Sequence, residues 1–162
     1  MSDRPRFDAH ILTPTLQVAG QAEPIGPWLD FLNNRDKHTF TVHAARIMSI
    51  GVAAAPVDRP QLFMNRDQVS MIALLGLSAR DGITMVRNSV MAIIHIGPIV
   101  CRGEIHLSVD TPLAIYFDDL IGNYFPVTNA DLHALSPLPA PLPAKADIVL
   151  INRSMVQAYY PG

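Results

Sequence analysis

The chain reads as a mainly β protein with short helices: two tandem, similar β-rich repeats packed as one pseudo-twofold body, barrel-like or sandwich-like in form. Three observations carry that expectation. Runs such as Thr39-Phe40-Thr41-Val42 place β-branched and aromatic residues in alternation, the pattern of a strand with one buried face. An apolar-Asn-Arg-polar-x-Val motif is written twice, at Met64–Val69 and at Ile151–Val156. Finally, residues 27–47 align without a gap on residues 112–132, setting Pro27 on Pro112, Phe31 on Tyr116, Leu32 on Phe117, Phe40 on Phe125, Val42 on Val127 and Ala45 on Ala130. Order, spacing and residue class agree, which is the mark of an internal repeat. Two copies are too few for a solenoid, and a unit of about 70 residues is marginal alone, so the two are expected to pack together.

The elements follow in chain order. Leu12–Gly20 and Ile96–Gly103 each carry a Pro followed by an apolar run that ends at Gly. Pro27–Asn33 and Pro112–Asp118 start with Pro and then crowd apolar groups, which suits a short helix with Pro at its first position; Thr111 is placed to cap the second. Asn33-Asn34 and Gly122-Asn123 supply breakers. Strands are expected over Thr39–Ala44 and Tyr124–Asn129, with Pro126 marking its copy as an edge or irregular strand. Each Asn-Arg pair separates two β-like runs: Gln61–Met64 from Val69–Ile72, and Ile148–Ile151 from Met155–Tyr159. Because Asn tolerates the left-handed region and bonds its own backbone, a structural corner is the reading preferred over a catalytic pair. Repeat one is assigned to residues 8–79 and repeat two to 83–160, with 80–82 as the turn between them. Asp81-Gly82 before Ile83–Val86 suggests a hairpin there. The Pro/Ala segments Gly51–Pro60 and Ser136–Lys145 read as solvated loops, the second with polyproline character that could serve as a partner's ligand.

Composition bounds the function classes. Nearly half of the 162 residues are apolar, 16% are charged and the net charge is −2. Such a chain buries a substantial core, and its dispersed charge does not suit a mainly electrostatic contact with nucleic acid or anionic lipid. Apolar runs such as Met91–Ile96 fall far short of the roughly 20 residues that span a bilayer, and the opening MSDRPRFDAH has no apolar region of the secretory kind. A cytoplasmic, soluble protein is expected. Sparse surface charge raises the expectation of self-association, hence a homo-oligomer or a protein partner, with no membrane contact and nucleic acid disfavoured.

The succession Gly103–Leu107, Pro112–Asp119, Tyr124–Leu132 and Ile148–Val156 resembles a family of uncharacterised bacterial domains, small β-rich modules in which a strand, a short helix, a Phe-x-x-Leu-Thr-x-Ala strand and a Val-Asn-Lys-like strand follow one another. The resemblance covers the second half well and the first loosely. It implies the fold and assigns no activity.

Residues able to carry chemistry are dispersed along the chain. His10, His38, His43, His95, His106 and His133 are scattered, without the spacing of a helical zinc site and without a Cys pair; the repeat could bring His38 and His43 towards His133. Asp118-Asp119, the only adjacent acidic pair, reads as a solvated helix end, since neighbours on a helix do not face each other. The single Cys101 cannot form an internal disulfide and reads as a buried strand residue, with Arg102 on the opposite face. Phosphate-cradling and nucleophile-elbow motifs are absent from the sequence. No catalytic, cofactor-binding or metal-binding residue is assigned, and no cofactor is expected.

The leading expectation is therefore a non-enzymatic binding or regulatory module that engages another protein, or itself, through a strand edge or apolar patch. A small enzyme with a His/Asp site between the repeats is the second reading. The third is a nucleic-acid-binding β-barrel using Phe117, Tyr124, Phe125, Tyr159 and Tyr160, which lack interleaved basic residues. In the tail, alternation would turn Tyr159 inward and Tyr160 outward.

Overall fold

The structure is a computed structural model that describes residues 4–76 and 79–162. Ten strands form a single antiparallel sheet: β1 (Phe7–Leu12), β2 (Leu16–Glu23), β3 (Thr39–Ser49), β4 (Val57–Asn65), β5 (Met71–Leu75), β6 (Ser89–Ile96), β7 (Ile99–His106), β8 (Tyr124–Ala134), β9 (Lys145–Asn152) and β10 (Ala158–Pro161). Helices α1 (Trp28–Leu32) and α2 (Leu113–Asp119) precede β3 and β8, and 3-10 turns at Arg66–Gln68 and Arg153–Met155 precede β5 and β10. The mainly β class with short helices is therefore as expected. The barrel form is not: the order β10-β6-β7-β8-β9-β5-β1-β2-β3-β4 ends on two strands that do not pair with each other.

The same succession of strand, strand, helix, strand, strand, 3-10 turn, strand occurs in residues 7–75 and again in 89–161. Each set is laid out in the same internal order, and β5 of the first pairs with β9 of the second through Met71↔Ile151, Ile72↔Leu150, Ala73↔Val149 and Leu74↔Ile148. Phe40 and Phe125 are each the second residue of an eleven-residue strand.

Two apolar clusters form, one drawn mainly from residues 7–85 and one mainly from residues 89–159, with β5, β9 and their neighbours contributing to both. In β3 and β8, Ala44 and Asn129 both sit at φ 49, a left-handed setting that Asn enters more readily than Ala. Opposite them the register slips, between Ala19 and Gln21 on β2 and between Arg102 and Glu104 on β7. Gly20 and Gly103 occupy the slips. A Cβ at Gly103 would lie 2.5 Å from Val127 Cγ1, and one at Gly20 would lie 2.7 Å from Val42 Cγ1. A bulge and a glycine without Cβ thus let the neighbouring backbones approach closely at each slip.

Helices of five and seven residues are far too short to persist by propensity. Packing and capping hold them. Trp28, Phe31 and Leu32 enter the first cluster, and Tyr116 and Phe117 the second. Their carboxyl ends are tied by the repeated arginine: Arg66 Nη1 donates to Phe31 O at 3.0 Å and Leu32 O at 2.7 Å, and Arg153 Nη1 donates to Phe117 O at 2.9 Å and Leu120 O at 3.1 Å. Carbonyls at the carboxyl end of a helix have no donor inside it, and a charged donor contributes about 1.5–3 kcal/mol for each such bond. The preceding asparagine caps the turn: Asn65 Oδ1 accepts from Asp67 N and Asn152 Oδ1 from Ser154 N. With φ of −80 and −78 the asparagines use their local hydrogen bonds, not the left-handed region. The repeated motif is thus a corner that fastens a helix end.

Several expectations need correction. Pro27 and Pro112 stand at the N-cap, one residue before the helix, so Thr111 lies too far out to cap α2 and bonds Ser108 Oγ instead. Pro126 belongs to an interior strand; its missing donor is tolerated because the β7·β8 pairing stops at Ile105↔Val127, one residue short of it. The turn at Asp81-Gly82 exists, with Ile83 N donating to Arg80 O, but Ile83–Val86 forms no hairpin strand. Ile83 and Met85 pack over the first cluster instead, and the sheet resumes at Ser89. Ser78, part of that turn signal and near the assigned end of repeat one, lies outside the described residues. β4 begins at Val57, which shortens the first Pro/Ala loop. The second is not simply solvated: Leu138 and Leu142 pack on the second cluster, and Ala140 accepts from Gln17 Nε2 and donates to Gln17 Oε1. Among the described residues no helix is long and apolar enough to cross a membrane.

The two asparagines differ in surroundings. Asn152 is 2% exposed and also donates to Val69 O, whereas Asn65 is exposed. Asn152→Ala should cost about 1–3 kcal/mol for the buried groups left unpaired, and Asn65→Ala about 1 kcal/mol as a lost cap. Denaturant unfolding of both variants checks the order; equal losses would contradict the burial argument.

Candidate functional site

The histidines do not converge. His38 and His43 accompany β3 while His133 lies on β8, and β9, β5, β1 and β2 stand between those strands. Corresponding positions in two halves laid side by side occupy corresponding places, not one place, so the anticipated approach of His38 and His43 to His133 does not occur. Five of the six histidines have a local partner. His43 Nε2 is 2.6 Å from Glu23 Oε2, and this hydrogen bond lowers the Glu23 pKa. His38 lies 3.3 Å from Asp67. His106 bonds Thr128 Oγ1 and Val86 O, and His95 bonds Tyr160 Oη. Among the described residues no group of three His, Cys, Asp or Glu gathers as a metal site would require. Asp118 and Asp119 end α2 in solvent, as anticipated. Cys101 is buried on β7, and burial, followed by Asp131, pushes its thiol up to about 12; a thiol so held is a poor nucleophile.

Polar groups, the buried Tyr124 and Arg66 among them, cluster at the seam between the halves. Asn33 Oδ1 at the end of α1 accepts from Asn123 N at 3.0 Å and Tyr124 N at 2.8 Å, while its Nδ2 donates to Tyr124 O. Gly122, at φ +90, leaves room for it, since a Cβ there would lie 2.5 Å from Asn33 Cγ. Tyr124 Oη donates to Arg66 O at 2.6 Å, and burial pushes its pKa up. Asn33 and Gly122 read in sequence only as breakers; the residues facing them come from the other half, out of reach of local pattern.

A cavity of about 540 Å3 opens over the same seam, lined by Leu74, Leu75, Gly76, Asn129, Ala130, Asp131, Lys145, Ala146 and Asp147. Its charges are already engaged in part, Asp131 lying 3.8 Å from Lys145 and 4.0 Å from Arg102. A second, of about 380 Å3, is bordered by Trp28, whose Nε1 is buried without a partner among the described residues.

The surface features that stand out are the two open edges. Strand β4 exposes Phe63, which is 64% accessible, and a groove of about 380 Å3 lined by Leu16, Ile47, Leu62 and Met64 runs beside it. Strand β10 exposes Tyr160, and a groove of about 310 Å3 lined by Phe117, Val156 and Tyr159 runs beside that edge. Tyr159 turns inward, its ring 4.0 Å from that of Phe117, as alternation predicted. An unpaired edge with apolar side chains is a template for an added strand. The remainder of β4 is guarded: Asp58 pairs with Arg46 at 3.0 Å, and Pro60 removes a donor.

Comparison with known proteins returns nothing: no family model, no curated protein and no solved structure matches the chain.

The Gln17–Ala140 pairing has a titratable neighbour in His10. Both Gln17 amide atoms are fixed by Ala140, so Nε2 must present a hydrogen to His10 Nε2 at 2.9 Å. His10 therefore accepts and must be neutral on that nitrogen. Burial lowers its pKa in the same sense. A depressed folded pKa means that the stabilisation is complete above the unfolded value of about 6.5 and is lost as pH falls below it. Unfolding titrations between pH 7 and pH 5 should show falling stability, and His10→Gln, which retains an acceptor, should flatten that segment. An unchanged slope in the variant would reject the assignment.

Proposed function

We propose that this protein is a non-enzymatic binding module that engages a protein partner by adding a strand to its open sheet edges. The observation supporting this reading is the Gln61–Met64 segment of β4, where a large apolar side chain stands exposed beside a groove while the neighbouring residues of the same edge carry charge or Pro. Main-chain hydrogen bonds give affinity in such an encounter, and alternate side chains give the choice of partner. Among the described residues five of the six histidines pair one by one with local partners and Cys101 is buried, which gives the enzyme reading less support.

A photoreactive residue in place of Phe63 tests this in cells. Ultraviolet light should then form covalent adducts with protein, and the same residue in place of Arg59, on the guarded part of β4, should form far fewer. Equal yields at both positions, or no protein adduct at Phe63, would reject the proposal.

A further inference from the structure

The internal seam shows what one of these edges does when it is covered. Strand β9 of the second half lies against β5 of the first, and both are buried on both faces. Ile148 and Leu150 of β9 enter the first cluster, while Met71 and Ala73 of β5 enter the second. The free strands carry the same positions. Counting from Asn65 and Asn152 along the preceding strands, Phe63 is the counterpart of Leu150 and Met64 of Ile151. Counting from Val69 and Val156 into the following strands, Ala158 is the counterpart of Met71, Tyr159 of Ile72 and Tyr160 of Ala73.

From this we infer that β4 of one copy pairs with β10 of a second copy, head to tail, in the register of the internal seam: Met64 opposite Ala158, Phe63 opposite Tyr159, and Leu62 opposite Tyr160. The inference rests on the strand-addition reading above and names its partner as this chain itself.

Three large exposed side chains carry the argument. Leu150 is fully buried because it enters the neighbouring half's cluster; Phe63, its counterpart, is 64% exposed. Ala73 is fully buried; Tyr160 is 45% exposed. Ile50 and Leu135 stand one residue beyond β3 and β8, their N–H groups donating to Thr15 O and Pro98 O respectively. Ile50 packs against the cluster of the other half, and Leu135 is 64% exposed. Each exposed residue is thus one whose counterpart is covered at the seam. The groove beside β10, lined by Phe117, Val156 and Tyr159, receives Phe63.

The polar clamps recur as well. Asn152 N donates to Ser70 O and Asn152 Nδ2 to Val69 O; the equivalent bonds run from Asn65 to Gln157 O and Val156 O of the second copy. Asn33 Oδ1 accepts two backbone N–H groups of the other half. Its counterpart on α2 is the exposed Asp118; the loop facing it carries Lys37 where Gly122 stands at the seam, so an ion pair from Asp118 to Lys37 of the next copy takes the place of the backbone clamp. Pro161, opposite Gln61, donates nothing and ends the ladder. Each copy offers one edge of each kind, so the contact is heterologous.

Light scattering coupled to size-exclusion chromatography tests the inference. Wild type should show a mass at least twice the 17.7 kDa of one chain. Phe63→Lys blocks β4 and leaves β10 intact; Tyr160→Lys does the reverse. Each alone should be monomeric, and a mixture of the two should form a heterodimer of twice the monomer mass, because one competent edge of each kind remains. Near-ultraviolet circular dichroism checks that both variants are folded. Since Tyr160 also bonds His95, Leu135→Lys serves as a second block on the β10 side. A monomeric wild type, single variants as assembled as wild type, or a mixture that stays monomeric would each overturn the inference. Photo-adducts from Phe63 to other proteins alongside a monomeric wild type would leave the binding-module reading standing and remove only the identity of the partner.

Discussion

The fold depends on one ladder, β5 against β9. Its eight paired residues, Met71–Leu74 and Ile148–Ile151, are all buried. Each strand gives alternate side chains to two clusters on opposite faces, so the ladder is both the wall between the clusters and the connection that makes them one sheet. A strand covered on both sides carries a continuous apolar run in place of alternation. That is why MIALL and IVLI look alike in composition and unlike Thr39–Val42, whose Thr residues face outward. The ladder brings together segments far apart in sequence, and the entropy of closing that loop is recovered only when both clusters close on it.

Around this wall the polar groups are arranged so that the corners cannot slip. Arg66 ties the α1 carbonyls to the turn that launches β5, and Tyr124 from the other half donates to the carbonyl of that same Arg66. A helix end, a turn and the neighbouring half thus share one residue. Removing the guanidinium would free the two carbonyls and loosen the entry to β5 together. The buried Arg66 Nε, 3.5 Å from Asp67 Oδ1 and without a hydrogen bond among the described residues, is offset by that ion pair and by the two bonds from Nη1.

Strands and helices were legible because they rest on local pattern: Thr39–Ala44 and Tyr124–Asn129 alternate, and Pro27 and Pro112 open apolar bursts that pack as helices. The Asn-Arg corners were legible for the same reason, although the arginine's role, reaching back to a helix more than thirty residues earlier, was not. Sheet order was not legible. Nothing in Tyr124–Asn129 states that β9 and β7 will flank it, so of the two settings Pro126 suggests, an edge or an irregular strand, only the irregular one holds, with the slip opposite Asn129. Nothing in Ile83–Val86 distinguishes a strand that joins a sheet from a segment that lies across a core, since both need alternate apolar residues. Pairing the histidines by analogy between halves failed because a shared order of elements fixes equivalence, not adjacency.

Openness of the sheet carries a cost that the sequence manages unevenly, and the unevenness is informative. A long bare apolar edge recruits strands without limit. On β4 the danger is confined: Asp58, Arg59 and Pro60 make the first part a poor template, and only Gln61–Met64 is left able to pair. On β10 the strand is four residues long and closes with Pro161. The internal ladder also has four residue pairs. The unguarded window, the short terminal strand and the seam therefore match in length. If the edges were merely tolerated, there would be no reason to guard Val57–Pro60 with charge and proline while leaving Phe63 in water, since a Lys at that one position would silence the rest. A window cut to the length of a single partner strand permits one defined ladder and denies the longer register that would let β4 pair with arbitrary chains.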